Sequence, residues 1–147
     1  MNRRARRDQR GTALVELTWL SILLLVPLVY VVVASFEVQR AAFGVSAATR
    51  AAGRAYTLAP STDAGAGRAR AAAAVALADQ GLSLSRASMS LGCESGPCLA
   101  PGSVVHVRLT YAVALPLMPA ALGDDTPSVR VESEQAVPYG TFREDRS

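Results

Sequence analysis

Hydrophobic positions follow one pattern up to Phe36 and another after it. Residues 17–36 form 20 consecutive positions without a charged side chain, and a helix of that length spans about 30 Å, the thickness of a bilayer core. Over residues 37–56 the pattern is amphipathic, with charged side chains on one helical face and apolar ones on the other. The apolar face carries Val38, Ala41, Ala42, Val45, Ala48, Ala52 and Tyr56. We predict a transmembrane helix over residues 12–36 that continues as an amphipathic helix over 37–56.

The rest of the chain predicts a small domain over residues 68–147. Residues 57–67 are rich in glycine, proline and serine and indicate a linker. An alanine-rich helix is expected over 68–80. Alternation of apolar and polar positions then predicts strands over residues 82–91, 104–115 and 128–137, with a change of phase near Arg86 and a polar tail after residue 137. The fold class is therefore α+β: one long helix, a short second helix and a three-stranded antiparallel sheet.

Charge is distributed unevenly along the chain. Residues 1–10 hold five arginines and one aspartate, whereas the remaining residues hold ten arginines and eleven acids. The basic cluster lies on one side of the apolar run, which places the N-terminus in the cytoplasm and the C-terminal domain outside. Because the excess positive charge is confined to this leader, no nucleic-acid partner is expected.

Two cysteines, Cys93 and Cys98, are separated by Glu-Ser-Gly-Pro. An extracytoplasmic location favours oxidation, and Ser-Gly-Pro is typical of a turn that brings two thiols together. We expect a small disulfide-closed loop. A metal site would need further ligands, and the only histidine, His106, has none near it in sequence.

No catalytic constellation is present in the sequence: it has no phosphate loop, nucleophile elbow or metal-spaced histidine cluster. His106 is expected on the solvent face of its strand, and Asp124 and Asp125 in a solvated loop. Glu132 and Glu134 share a strand face with Arg130, which is typical of an exposed polar surface. We predict a non-enzymatic protein without catalytic residues, cofactor, metal or small-molecule substrate.

A glycine followed five positions later by a glutamate opens the apolar run. The string Arg10-Gly11-Thr12-Ala13-Leu14-Val15-Glu16-Leu17, with arginines before it and apolar residues after it, resembles the class III signal sequence of prepilins. It is most similar to the TadE-like family, the pseudopilins or minor pilins of tight-adherence pili. Many members carry an aromatic residue after the glutamate, where this chain has Leu17.

The resemblance implies a processing event and an assembly role. A membrane prepilin peptidase would remove residues 1–11 by cutting after Gly11, and the mature chain would begin at Thr12. Glu16 would then attract the new amine of a neighbouring subunit and set the register between packed helices. The implied partners are this peptidase, other pilin or pseudopilin subunits and the membrane. The implied function is structural, in assembly of a tight-adherence pilus of the type IV, Flp-type class, and the subunit could be incorporated in the pilus itself.

Two alternatives stay open at this point. The chain could be a single-pass membrane protein whose outer domain binds a partner, with Gly11 an uncut linker residue and Glu16 an unpaired carboxylate at the membrane interface. It could also be a secreted domain released by ordinary signal peptidase, because Val32-Val33-Ala34 is a tolerable cleavage sequence.

Overall fold

The computed structural model describes residues 10–94, 96–115 and 128–146. They form two helices, α1 (Arg10–Thr57) and α2 (Thr62–Ala78), a 3₁₀ turn (Leu84–Arg86) and three strands, β1 (Ala87–Cys93), β2 (Val104–Ala114) and β3 (Ser128–Pro138). The strands are antiparallel in the order β1-β2-β3. The α+β fold class predicted from the sequence is confirmed.

Helix α1 is continuous over 48 residues and passes through Pro27, so its length is about 72 Å. The segments predicted as transmembrane and amphipathic are two halves of this one helix. In the second half a stripe of small apolar side chains is buried, from Ala41 through Val45 to Tyr56. Ala42, which we predicted on this face, is exposed instead. At about 100° per residue it lies at one edge of the stripe, the edge on which Thr49 and Gly53 are buried further along the helix, and Gly44 is buried at the opposite edge.

The segment between the helices is shorter than predicted, because α2 starts at Thr62 and not at Arg68. The Ser61 side chain accepts a hydrogen bond from the backbone N–H of Ala64 and so caps the new helix. Gly65, which suggested a helix breaker, is buried against the ring of Tyr56: a Cβ at Gly65 would lie 3.0 Å from the ring. This glycine therefore allows the close approach of α2 to α1.

The sheet packs its apolar face on α1. The central strand buries Val105, Val107, Leu109, Tyr111 and Val113, as its alternation predicted. Strand β1 begins later than expected, at Ala87, because residues 84–86 form the 3₁₀ turn. The change of phase near Arg86 thus marks a turn ahead of the strand.

Strand β3 runs in the same direction as α1. Near its start, Val129 lines a shallow apolar groove with Ala34 and Val38 of α1, and near its end Val137 faces Gly53. We call the end of the sheet beside residues 30–39 the proximal end and the opposite end, which carries the cysteine loop, the distal end. The domain therefore covers the second half of α1 and leaves most of the first half uncovered.

The C-terminal residues, predicted as a polar tail, fold back onto the distal end. Tyr139 is buried and its hydroxyl donates to the carbonyl of Glu144 at 2.7 Å. The Arg143 guanidinium donates to the carbonyl of Thr57 at 2.8 Å and lies 5.1 Å from the centre of the Tyr139 ring. A cation on a terminal carbonyl of α1 also interacts favourably with the helix dipole, so the tail closes the end of this helix.

Candidate membrane-insertion and processing segment

The first half of α1 is an apolar surface without a covering layer. Residues 13–29 are all exposed, and large side chains such as Leu24 remain 72% accessible. Helix α1 is long and apolar enough to cross a membrane, and none of its most apolar window is buried in the described structure. The core helix of a soluble protein would bury this surface, so a bilayer or another chain is the environment that it fits.

Two hydroxyl groups in this half form hydrogen bonds within the helix. The Thr18 hydroxyl donates to the Leu14 carbonyl at 2.8 Å, and the Ser35 hydroxyl donates to the Val31 carbonyl at 2.7 Å. Such bonds to the residue four positions earlier remove the cost of placing a hydroxyl in hydrocarbon. The Tyr30 hydroxyl differs. It is buried beside the apolar groove at the proximal end of the sheet and has no hydrogen-bond partner among the described residues.

Glu16 is the one carboxylate on this apolar half. Its side chain is exposed, and no described residue offers it a hydrogen bond or an ion pair. It lies five residues after Gly11, about 7.5 Å further along the helix axis, and one turn after Thr12. The structure begins α1 at Arg10, so Gly11, Thr12 and Glu16 all lie in the first turns of the same helix.

Three charged groups on the outer face of the sheet, by contrast, pair with one another. Arg108 lies opposite Glu134 and contacts its carboxylate at 2.7 Å, and a second contact reaches Glu132 at 3.3 Å. The hydrogen bond from Arg108, followed by its charge, lowers the pKa of Glu134. The same carboxylates raise the pKa of Arg108, with the hydrogen bond to Glu134 as the first cause. Glu132 and Glu134 therefore pair with Arg108, whereas the sequence grouped them with Arg130.

His106 lies on the outer face, as expected for its strand position, and is partly accessible. The structure brings two carboxylates to it that are distant in sequence: Glu94 at 3.9 Å and Glu134 at 3.6 Å. The strand pairing causes this. His106 lies opposite Gly92 of β1, two residues before Glu94, and opposite Ala136 of β3, two residues after Glu134. Nevertheless, no group of three or more metal-ligating side chains in the described ranges is arranged to hold a metal ion. The expected loop pair Asp124 and Asp125 lies outside the described residues.

The structure joins Cys93 and Cys98 in a disulfide. The loop that it closes lies at the distal end, where the Ser103 hydroxyl donates to the Cys98 carbonyl at 2.7 Å. Gly96 and Gly102 adopt positive φ angles of 66° and 83°, a conformation that glycine accepts without strain. This loop connects β1 to β2 and holds Glu94 near His106.

The pKa of the Tyr56 side chain is shifted, and burial is the larger cause of the shift. Tyr56 is 3% exposed between α1 and α2. Burial raises the pKa of its hydroxyl, and the nearby Asp63 carboxylate raises it further. The position is explained by packing of the two helices.

No family model matches this chain, and neither a curated protein nor a solved structure does. The class that the fold and this segment define is a protein with one candidate membrane-spanning helix near its N-terminus and a small α+β domain packed on the continuation of that helix.

Proposed function

We propose that this chain is a TadE-like pseudopilin or minor pilin that takes part in assembly of a tight-adherence pilus. In this proposal the arginine-rich leader lies in the cytoplasm and a prepilin peptidase cuts after Gly11. The mature chain keeps α1 in the membrane, with the α+β domain outside, until assembly. The role is structural and involves no catalysis.

One observation carries the proposal: Glu16 has no partner among the described residues, although it lies on an apolar surface with membrane length. A carboxylate in or near hydrocarbon is costly, and pairing with a cation reduces that cost. Cleavage after Gly11 would create such a cation, the ammonium group of Thr12. The matching carboxylate and amine on neighbouring subunits would favour one register between packed helices.

The layout of α1 supports the same role. Its second half is held by α2 and the sheet, so the domain fixes the orientation of the first half relative to itself. The first half presents exposed leucines and valines along its whole length. Because the helix is continuous between the halves, packing of first halves from several subunits would place their domains in a regular array.

The direct test is the N-terminus of the mature chain. The chain is expressed with a prepilin peptidase from a tight-adherence system, and its N-terminal residues are sequenced. A terminus at Thr12 supports the proposal. A terminus at Met1 would favour an uncut membrane protein, and one at Ser35 would favour ordinary signal peptidase.

Substitution of Gly11 sharpens this test. Gly11→Trp is expected to block processing, because a peptidase site that accepts glycine has little room for a bulky side chain. Gly11→Ala is the matched control and is expected to retain at least part of the cleavage. An unchanged gel mobility of the Trp variant, compared with wild type, would contradict the proposal.

The role of Glu16 is tested separately, in cells that assemble pili. Glu16→Ala is expected to permit membrane insertion and cleavage but to impair assembly, measured by electron microscopy and by the amount of sheared pili. Glu37→Ala is the control, because Glu37 lies on the same helix but already pairs with Arg40. Normal piliation of the Glu16 variant would remove the register role.

A further inference from the structure

Two arginines lie beside one groove on the outer face of the sheet, and neither has an acidic partner in the part of the chain that the structure describes. Arg86 and Arg130 line one open groove of about 560 Å³, which we call the arginine groove. Neither makes an ion pair or a side-chain hydrogen bond with any described residue. The groove also presents hydroxyls, from Ser85, Ser88 and Thr110. Guanidinium groups beside hydroxyls are the donor set that proteins use for phosphate oxygens.

Of the described residues that line the groove, one carries a carboxylate, and it is already engaged. Glu132 lines the groove, but its carboxylate lies 3.3 Å from the Arg108 guanidinium. This contact offsets part of its repulsion for an anion, whereas Arg86 and Arg130 form no ion pair with any residue that the structure describes. The described lining of the arginine groove therefore carries an excess of positive charge.

Strand register places the arginine groove at the proximal end of the sheet. Arg130 of β3 lies opposite Ala112 of β2. On the other side of β2, Ala87, the first residue of β1 and the neighbour of Arg86, lies opposite Tyr111. Arg86 and Arg130 therefore lie at nearly the same level. Val129, adjacent to Arg130, borders the groove that Ala34 and Val38 line on α1.

That level coincides with the end of the apolar half of α1. Its uncharged stretch ends at Phe36, and Glu37 and Arg40, which pair with each other, are the next charged residues. If α1 spans a bilayer, the headgroups of the leaflet from which it emerges lie within a few residues of Phe36. The arginine groove then lies at the depth of the lipid phosphates.

We propose that the arginine groove binds the headgroup phosphate of an anionic phospholipid in that leaflet. The two guanidinium groups would contact the phosphate oxygens, and the flanking hydroxyls would donate to the oxygens that remain. Such a contact would hold the domain at a fixed rotation on the membrane surface before assembly. This inference rests on the membrane-spanning part of the proposed function and does not depend on cleavage after Gly11.

The test measures lipid selectivity of the full chain. The chain is purified in detergent micelles that contain equal amounts of phosphatidylglycerol and phosphatidylcholine, and bound lipids are counted by native mass spectrometry. Wild type is expected to retain phosphatidylglycerol preferentially. In the double variant Arg86→Gln/Arg130→Gln this preference should fall roughly thirtyfold, as expected for two arginines near a membrane surface.

The matched control is Arg50→Gln/Arg54→Gln. These two arginines are exposed and also line a common groove beside β3, but they lie roughly 20 Å further along α1. The control removes the same charge and should leave the preference unchanged. A wild type without preference, an unaffected groove variant or an equal loss in the control would each overturn the proposal.

Two further measurements distinguish lipid binding from binding of a free anion and from the processing step. Labelled inorganic phosphate, offered in lipid-free detergent, should be retained far less than the lipid; equal retention would assign the groove to a free anion and overturn the lipid proposal. The N-terminus of each preparation is also sequenced. A chain cut after Gly11 that shows no lipid preference would overturn this inference alone, and an uncut chain with the preference would support it without the processing step.

Discussion

The two halves of α1 have the same backbone but opposite surroundings. Val26 is 62% exposed, whereas Val45, in the second half of the same helix, is completely buried. A valine contributes to stability only when something covers it. The second half is covered by α2 and the sheet, whereas none of the most apolar window of the first half is buried in the described structure. The comparison shows that the packed core of the domain includes the second half of α1 and leaves most of the first half outside it.

Side-chain size accounts for the difference. The second half carries alanines and glycines on its buried face, and a Cβ at Gly44 would lie only 2.7 Å from the Leu82 Cδ1 atom. Small residues let other elements approach the helix closely. The first half carries leucine and valine all round, which suits fluid acyl chains or the ridges of a neighbouring helix.

The largest expected effect comes from the same substitution made in each half. Val45→Ala removes two buried methyl groups and should reduce the free energy of unfolding of the domain by about 2.5 kcal/mol. Val26→Ala should leave it within experimental error. Both are measured by urea denaturation of the full chain in detergent micelles, followed by near-UV circular dichroism. Equal losses would mean that the first half also packs on the domain.

The disulfide should matter almost as much, and only to the domain. Cys93 and Cys98 close a loop with a sequence separation of 5, for which the chain-entropy estimate gives about 2 kcal/mol. Cys93→Ser/Cys98→Ser is therefore expected to lower the melting temperature of the domain, and a reductant should lower that of wild type to the same extent. If the reductant also lowered the melting temperature of the double variant, the loss in wild type could not be assigned to the disulfide.

Patterns that are local in sequence predicted much of this fold. The uncharged run, the helical stripe from Ala41 to Tyr56 and the alternation of β2 each depend on neighbours a few residues away. For the same reason the Gly11–Glu16 pattern could be found without a structure. The start of α2 could not, because the sequence alone does not reveal that Gly65 makes room for the Tyr56 ring, so that the glycine there serves close helix packing instead of ending a helix.

Features that depend on strand register were beyond the sequence. Arg108 and Glu134 are 26 residues apart, and only the pairing of β2 with β3 brings them together. The same holds for Arg86 and Arg130, which reach one groove across three strands. The burial of Tyr139 and the contact of Arg143 with α1 require that the tail return to the distal end, and no local pattern indicates this.

Glycine substitutions test close packing around the second half with smaller effects of opposite sign. A Cβ at Gly53 would lie 2.6 Å from the Val137 Cγ2 atom. Gly53→Ala should therefore cost about 1 kcal/mol, since overpacking exceeds the gain in helix propensity. Gly67, in α2, has no atom within 4 Å of such a Cβ, and Gly67→Ala should stabilise the domain by about 0.5 to 1 kcal/mol. Both are compared by urea denaturation, and a stabilising Gly53→Ala would contradict the contact.

The smallest expected effect comes from comparing two carboxylates. Glu134 pairs with Arg108, whereas Glu16 has no partner among the described residues. The Arg108 hydrogen bond and charge hold the pKa of Glu134 below its ordinary value of 4.5. A carboxyl group whose pKa is lower in the folded state stabilises the fold above its unfolded pKa, and this stabilisation is lost as the pH falls through the folded value. Wild type should therefore melt slightly above Glu134→Gln at pH 6, and the difference should shrink as the pH falls below about 4.5.

Glu16→Gln completes this comparison, because no described residue pairs with Glu16. The variant is expected to melt like wild type at every pH in micelles of isolated chains, whereas Glu134→Gln should show the pH-dependent difference. A difference for Glu134→Gln that stays constant from pH 6 to below its folded pKa would mean that shape, and not charge, is its source. A pH-dependent effect of Glu16→Gln on the domain would reveal a partner within the chain, and the assignment of Glu16 to contacts between subunits would then fail.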